Sequence, residues 1–329
     1  MEDTPPIRTA TAGDLVVEPD NVDDTSGFDV GVATSLDDAY SDLTKRLSVG
    51  KDEAQEWLNA TQKVRDFAPV PWFIWRLTNL TLAPGGLRGG KLAEGFVLGL
   101  RRLLFATASD RLFGTGQKVN TLKDALMVLS PEVIGAVSAV HAICRRLSKH
   151  NNERMWRPIV DEALLRARIG YLAAKHQRDF GSGRGLLAGF ISQIGLAVLV
   201  SMGEEERART ALEDIAVGKD MRNVARDLYE CHPLQVGGMI LSAIGCGADA
   251  SSGVIAYLSV NALQIVSNFE QRQWLAAITI VNAVRDGTLE SVEVDHCEVL
   301  SLDTDERRQQ FVTECRRFIR GSHELHWLE

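Results

Sequence analysis

The chain has 329 residues, 45% hydrophobic and 24% charged, an ordinary globular mix long enough to bury a substantial core as one large domain or two modest ones. A formal net charge of −8 excludes the global basic field that draws a protein to nucleic acid. Five scattered cysteines (Cys144, Cys231, Cys246, Cys297 and Cys315), with no CxxC among them, read as reduced thiols of a cytoplasmic protein.

Residues 1–35 are acidic and polar with little periodic apolar content, the composition of a flexible tail. The opening MEDTPPIRTATAGD is unlike a secretory or transit signal. Ser35 and Asp38 resemble a capping box, and amphipathic helices are expected over 37–48 and 51–66, parted by Val49 and Gly50. Pro69 and Pro71 break the pattern before the aromatic segment WFIWRLTNLTLA. After Pro84 and GGLRGGK, a strong helix is expected over 91–109. Segments 121–129 and 131–149 form the next pair, with Pro131 suited to a first helical position. Trp156, Ile159, Val160, Ala163, Leu164, Ala167, Ile169 and Leu172 predict a long helix over 156–177.

The most apolar run follows, GLLAGFISQIGLAVLVSM at 185–202. Its length would suit a membrane span. Gln193 at its centre and the charged GEEERAR behind it favour a buried central helix in a protein without a membrane anchor. Gly185, Ala188, Gly189, Gly195 and Ala197 would let neighbouring backbones come close. Helices continue over 204–215, 220–231, 233–244 and 250–260, with one or two over 261–285 and a last over 305–320. Only SVEVDHCEVLSL at 291–302 alternates like a β-strand. The chain therefore reads as all-α, with at most one short β element.

Chemical motifs are sparse. Gly85-Gly86-Leu87-Arg88-Gly89-Gly90-Lys91 is formally GxxxxGK, the loop whose backbone N–H groups cradle phosphates. Leu92 stands where Ser or Thr must hold magnesium, and the chain lacks βα alternation, so a glycine-rich interhelical connector is the better account. GSGRG at 181–185 reads as a helix–helix turn. None of the seven histidines (His141, His150, His176, His232, His296, His323, His326) has an i, i+4 partner with a supporting acid, so no metal site emerges. His232 opens a helix, where it caps or packs. Neither GxSxG nor a nucleophile with a recognisable partner is present. Arg145, Arg146, Lys149, Arg154 and Arg157 form a basic cluster, read first as a solvated helix end and second as an interaction surface. Trp72 and Trp75 read first as core.

From about residue 67 to 260 the chain resembles the HDOD family, degenerate relatives of HD-type metal phosphohydrolases found in bacterial signalling proteins. The blocks that carry the resemblance are FAPVPWFIWRL, KLAEGFVLGLRRLLFATASDRLFG, TLKDALMVLSPEVIGAVSAV, WRPIVDEALLRARIGYLAAKH, GFISQIGLAVLV and YECHPLQVGGMILSAIG. The resemblance implies a domain at 67–260, preceded by a tail at 1–35 and leading helices at 36–66, and followed by a helical extension at 261–329. It also implies where metal ligands would stand. The His-Asp pair falls on Ser192 and Gln193, the histidine after the opening Trp on Pro158, and a later His-His position near Tyr257 and Leu258. Only His232 keeps its type. Ser, Gln, Pro and Tyr cannot rebuild the cage of imidazoles and carboxylates that generates hydroxide on a divalent ion.

The expectation is thus a non-catalytic cytoplasmic signalling adaptor or regulator, without metal or cofactor, acting through a protein partner. The family's association with cyclic-dinucleotide, motility and biofilm regulation supplies the setting. The competing expectation is a nucleotide-binding or hydrolysing protein that uses GGLRGGK or a remodelled pocket near Ser192, Gln193 and His232. Partner identity and oligomeric state are not legible.

Overall fold

The structure, a computed structural model, describes residues 41, 51–83, 97–259 and 261–319. Its regular elements are all helical, with no strand among the described residues. In chain order they are α1 (Lys51–Phe67), α2 (Trp72–Leu82), a 3₁₀ turn (Leu98–Leu100) leading into α3 (Arg101–Ser109), α4 (Leu122–Val128), α5 (Pro131–Leu147), α6 (Glu153–Ala174), α7 (Ser182–Met202), α8 (Glu205–Ala216), α9 (Met221–Tyr229), α10 (Pro233–Ala243), α11 (Ala248–Ala256), α12 (Ala262–Ile265), α13 (Phe269–Asp286), α14 (Val294–Val299) and α15 (Asp305–Ile319).

Side-chain caps set several of these boundaries. Thr121 accepts a hydrogen bond from Asp124 N, Ser130 from Val133 N, and Asn268 from Gln271 N. Pro131 occupies the first turn of α5, where its missing N–H costs nothing. Gly287, at φ +71°, ends α13 in the left-handed conformation.

Helix α7 is the axis of the molecule. It is apolar nearly all round, and a helix without a polar face must be enclosed. Helix α6 covers it along its length, with α5, α10 and α13 around the remainder. It is the single described helix long and apolar enough to cross a bilayer, and most of its apolar window is buried inside the protein. Glycines make the enclosure close. A Cβ on Gly185 would stand 2.2 Å from Gly170 O, one on Gly189 2.0 Å from Arg166 O, and one on Gly195 1.9 Å from Pro233 O. Later turns of α7 meet earlier turns of both α6 and α10, so both neighbours run antiparallel to it.

Polar ties fix what packs on this axis. Asn152, left-handed at φ +61°, donates from its side-chain amide to Val200 O (3.0 Å) and Gly203 O (2.9 Å), satisfying carbonyls at the end of α7. Arg184, 3% exposed, donates from Nε to Leu82 O (2.8 Å) and places Nη1 3.4 Å from Glu270 Oε1, joining α2, α7 and α13. Trp274 of α13 is fully buried edge-on to Phe180, with ring centroids 5.1 Å apart. Residues 269–286 therefore belong to the same core as α6 and α7.

Three expectations are corrected. The alternating segment 291–302 is no strand: Leu289–Ser291 is a 3₁₀ turn and α14 follows. Its buried residues His296, Cys297 and Leu300 recur at i, i+1 and i+4, which is helical spacing, so His296 does not sit on a strand face. GSGRG is the start of α7 rather than a turn, with Gly181 as N-cap at φ +84°. The long helix begins at Glu153 rather than at 156, which moves Pro158 from its first turn to its second. Of the expected helix over 91–109, Val97 and Arg101–Ser109 are α-helical with a 3₁₀ turn at Leu98–Leu100 between them, and 91–96 lie outside the described residues. Of the expected helix over 37–48 only Ser41 is described, and it is helical, while the Ser35–Asp38 capping box and GGLRGGK lie outside the described residues.

Candidate functional site

Between Gly183 and Ser201, helix α7 is buried at every position except Ser192 and Gln193, which are half-buried. The axis thus reaches solvent through one window, where the resemblance places the altered metal pair. Ser192 donates its hydroxyl proton to Gly189 O at 2.6 Å, a bond within its own helix. His232 is the N-cap of α10, as expected for a residue that opens a helix. Its Nδ1 accepts from Leu234 N (3.0 Å), and its own N–H donates to Gln235 Oε1 (2.8 Å). Because Pro233 O abuts Gly195, this cap lies within about a turn of Ser192 along α7.

Ser192, Gln193 and the start of α10 are brought together. No hydrogen bond or ion pair joins Pro158 or Tyr257 to them. Pro158 is exposed on α6, and Tyr257 is 39% exposed just past α11. These residues do not fit a divalent ion. Ser192 offers a neutral hydroxyl, Gln193 a neutral amide, His232 a ring nitrogen engaged in a cap, Tyr257 an exposed phenol and Pro158 no side-chain donor atom. Among the described residues, no group of three or more His, Cys, Asp or Glu gathers closely enough to hold a metal.

Sequence reasoning missed the charged cluster beside the window. The antiparallel register that sets Gly185 against Gly170 and Gly189 against Arg166 brings Gln193 level with Glu162 one turn on. Glu162 Oε1 accepts from Arg166 Nε at 2.7 Å and from Arg285 Nε at 2.7 Å, while Oε2 accepts from Arg285 Nη2 at 2.8 Å. Arg166 Nη1 also donates to Asn282 Oδ1. The side chains of Arg166, Glu162 and Arg285 are 12%, 26% and 30% exposed. Two guanidinium groups therefore share one carboxylate in a half-buried setting. Glu162 and Arg166 are legible as an i, i+4 pair. The contribution of Asn282 and Arg285 is not, since they lie more than a hundred residues away.

The basic cluster divides between packing and solvent. Arg146 Nε donates to Phe67 O at 2.8 Å, and Arg157 pairs with Glu153 at 3.0 Å, while Arg145, Lys149 and Arg154 are exposed. Trp72 is half-buried beneath Arg76, whose Cζ lies 5.2 Å from the ring centroid; Trp75 packs partly on the core. His150 stacks on Phe67 at 5.4 Å, and burial, followed by the Arg146 charge, holds its pKa below the usual 6.5. Burial likewise lowers His296, opposed by Glu293 and Asp295. All five cysteines are buried and unbridged. A separate pocket of ≈ 360 Å³ lies between the end of α6 and α15, with His176, Ser301, Arg307, Phe311 and Glu314 among its lining.

Comparison with known proteins places the architecture. No family model matches the sequence, and no curated protein matches it. Two solved structures share the fold. The "Putative phosphohydrolase" from Shewanella amazonensis SB2B is similar over 82% of this chain and 98% of its own, at 15% identity and a TM-score of 0.58. The "Putative signal transduction protein" from Marinobacter aquaeolei VT8 is similar over 83% of this chain and 66% of its own, at 14% identity and a TM-score of 0.60. At such identities the likeness is one of fold.

Proposed function

We propose that this protein is a non-catalytic signalling regulator of the HDOD type, acting through contacts with a regulatory protein partner. The carrying observation is the donor inventory at the α7 window. Hydrolysis on such a scaffold needs imidazoles and carboxylates converging on divalent ions, which supply the attacking hydroxide. Here Ser192 and Gln193 offer only a neutral hydroxyl and a neutral amide, and His232 commits Nδ1 to the α10 cap. The neighbouring carboxylate, Glu162, accepts from two arginines. The likeness in fold to a signal transduction protein supports the signalling part of this reading. Cyclic-dinucleotide, motility or biofilm control is the proposed setting.

The test uses the full chain loaded with Mn²⁺, Mg²⁺ or Zn²⁺ and desalted. Metal content is then measured beside hydrolysis of a chromogenic phosphodiester. Substoichiometric metal and no turnover are expected. Stoichiometric metal with turnover lost in His232→Ala would overturn the non-catalytic reading. Partnership is tested by analytical ultracentrifugation with purified kinases, cyclases or response regulators encoded beside the gene. A defined complex is expected with one of them, and no complex with any would count against the adaptor role.

A further inference from the structure

We infer that Arg166, Asn282 and Arg285 form a metal-independent site for a small phosphoryl anion beside the Ser192–Gln193 window. Among the described residues Glu162 is the one carboxylate paired with these two guanidinium groups, so the cluster keeps one surplus positive charge in a half-buried place. Such a charge is screened less than one on open surface. Each guanidinium has five N–H donors. Arg166 directs Nε and Nη1, and Arg285 Nε and Nη2, at partners within the protein, leaving Arg166 Nη2 and Arg285 Nη1 without one among the described residues. Asn282 accepts through Oδ1, which leaves its NH₂ as a donor. The open valences are thus donors around a net positive charge, and their complement is an anion with several acceptor oxygens. Phosphate meets that demand better than a carboxylate, because its tetrahedral oxygens can engage donors from α6 and α13 together.

Three helices hold the donors in place. Gly189 presses α7 onto the backbone at Arg166, and Arg184 pairs with Glu270 at the start of α13. The bidentate Arg285–Glu162 bond fixes the other end of α13 against α6. The inference is independent of the regulator reading, because phosphate can bind with or without turnover.

The experiment is calorimetric titration of the full chain with inorganic phosphate, and in separate arms with pyrophosphate and a cyclic dinucleotide, against chloride at matched ionic strength. Saturable binding of one phosphate per chain is expected, persisting in EDTA. Arg285→Met and Arg166→Met should each weaken it by about tenfold or more, and Arg285→Lys, which keeps the charge but loses the fork, should fall between. Glu162→Gln should tighten binding by freeing both guanidinium groups, whereas a purely structural cluster would show no tightening. Circular dichroism identifies any variant that fails to fold, and the Lys variant then carries the comparison. Pyrophosphate or the dinucleotide binding tighter than phosphate, with the same arginine dependence, would assign the phosphoryl group to a larger ligand. Overturning results are no saturable binding by wild type at millimolar phosphate, or binding indifferent to Arg166 and Arg285 but lost on changing Arg145 and Lys149.

Discussion

A Cβ on Gly189 would lie 2.0 Å from the carbonyl oxygen of Arg166, so α7 and α6 meet backbone to backbone one turn from the polar window. This contact sets the distance between the two helices. It also sets the level at which Glu162 and Arg166 stand beside Ser192 and Gln193. Positioning of the window is therefore a consequence of a missing side chain.

Gly189→Ala is expected to destabilise the protein by about 1–3 kcal/mol or more, because the obstruction is backbone and cannot rotate away. Gly99→Ala serves as control. No atom lies within 4 Å of its added Cβ, and a change within about 0.5 kcal/mol is expected. Urea midpoints at constant m-value would read both.

The Arg184–Glu270 pair is buried on the arginine side and largely covered on the other. Arg184→Met should cost about 3–5 kcal/mol, since Glu270 would keep its charge without its partner. Arg184→Met with Glu270→Met should recover a substantial part of that loss. A double mutant as unstable as the sum of its singles would show that the Leu82 carbonyl bond, not the ion pair, matters.

Acid should weaken the fold through His150. Its folded pKa lies below 6.5, burial being the larger cause and Arg146 the second. Between the folded value and 6.5 the unfolded chain binds more protons, so stability is full above 6.5 and declines as pH falls through that window. His296 acts in the same direction. His150→Phe keeps a ring against Phe67 and should flatten the acid-side slope in denaturation curves taken between neutral and mildly acidic pH. An unchanged slope would remove His150 from the account.

Thiol reactivity should report unfolding. Burial pushes Cys231, Cys246 and Cys315 up to about 12, so only roughly one in ten thousand of these thiols is ionised at pH 8. Alkylation of the native protein should leave all five cysteines unmodified, with reaction appearing at the urea midpoint. Labelling of any one in native buffer would reveal local opening there.

Helical periodicity, Pro131 and His232 placed most elements correctly because those signals are local: a cap or first-turn residue acts within one turn. The segment 291–302 misled for the same reason. Its alternation is compatible with a strand, but a strand needs a neighbour to pair with, and α13 offers a helix face instead. Ser192, Gln193 and Pro158 could be singled out in the sequence only through the resemblance. Their surroundings could not.

The sequence by itself determined an all-α chain wrapped around one apolar helix, because an eighteen-residue run without charge must be enclosed by something. Only the tertiary structure decided what stands at the opening in that enclosure. Arg285 and Asn282 reach Glu162 and Arg166 because glycine contacts bring α6 against α7 and buried packing brings α13 across both. Interactions separated by more than a hundred residues leave no periodic trace along the chain.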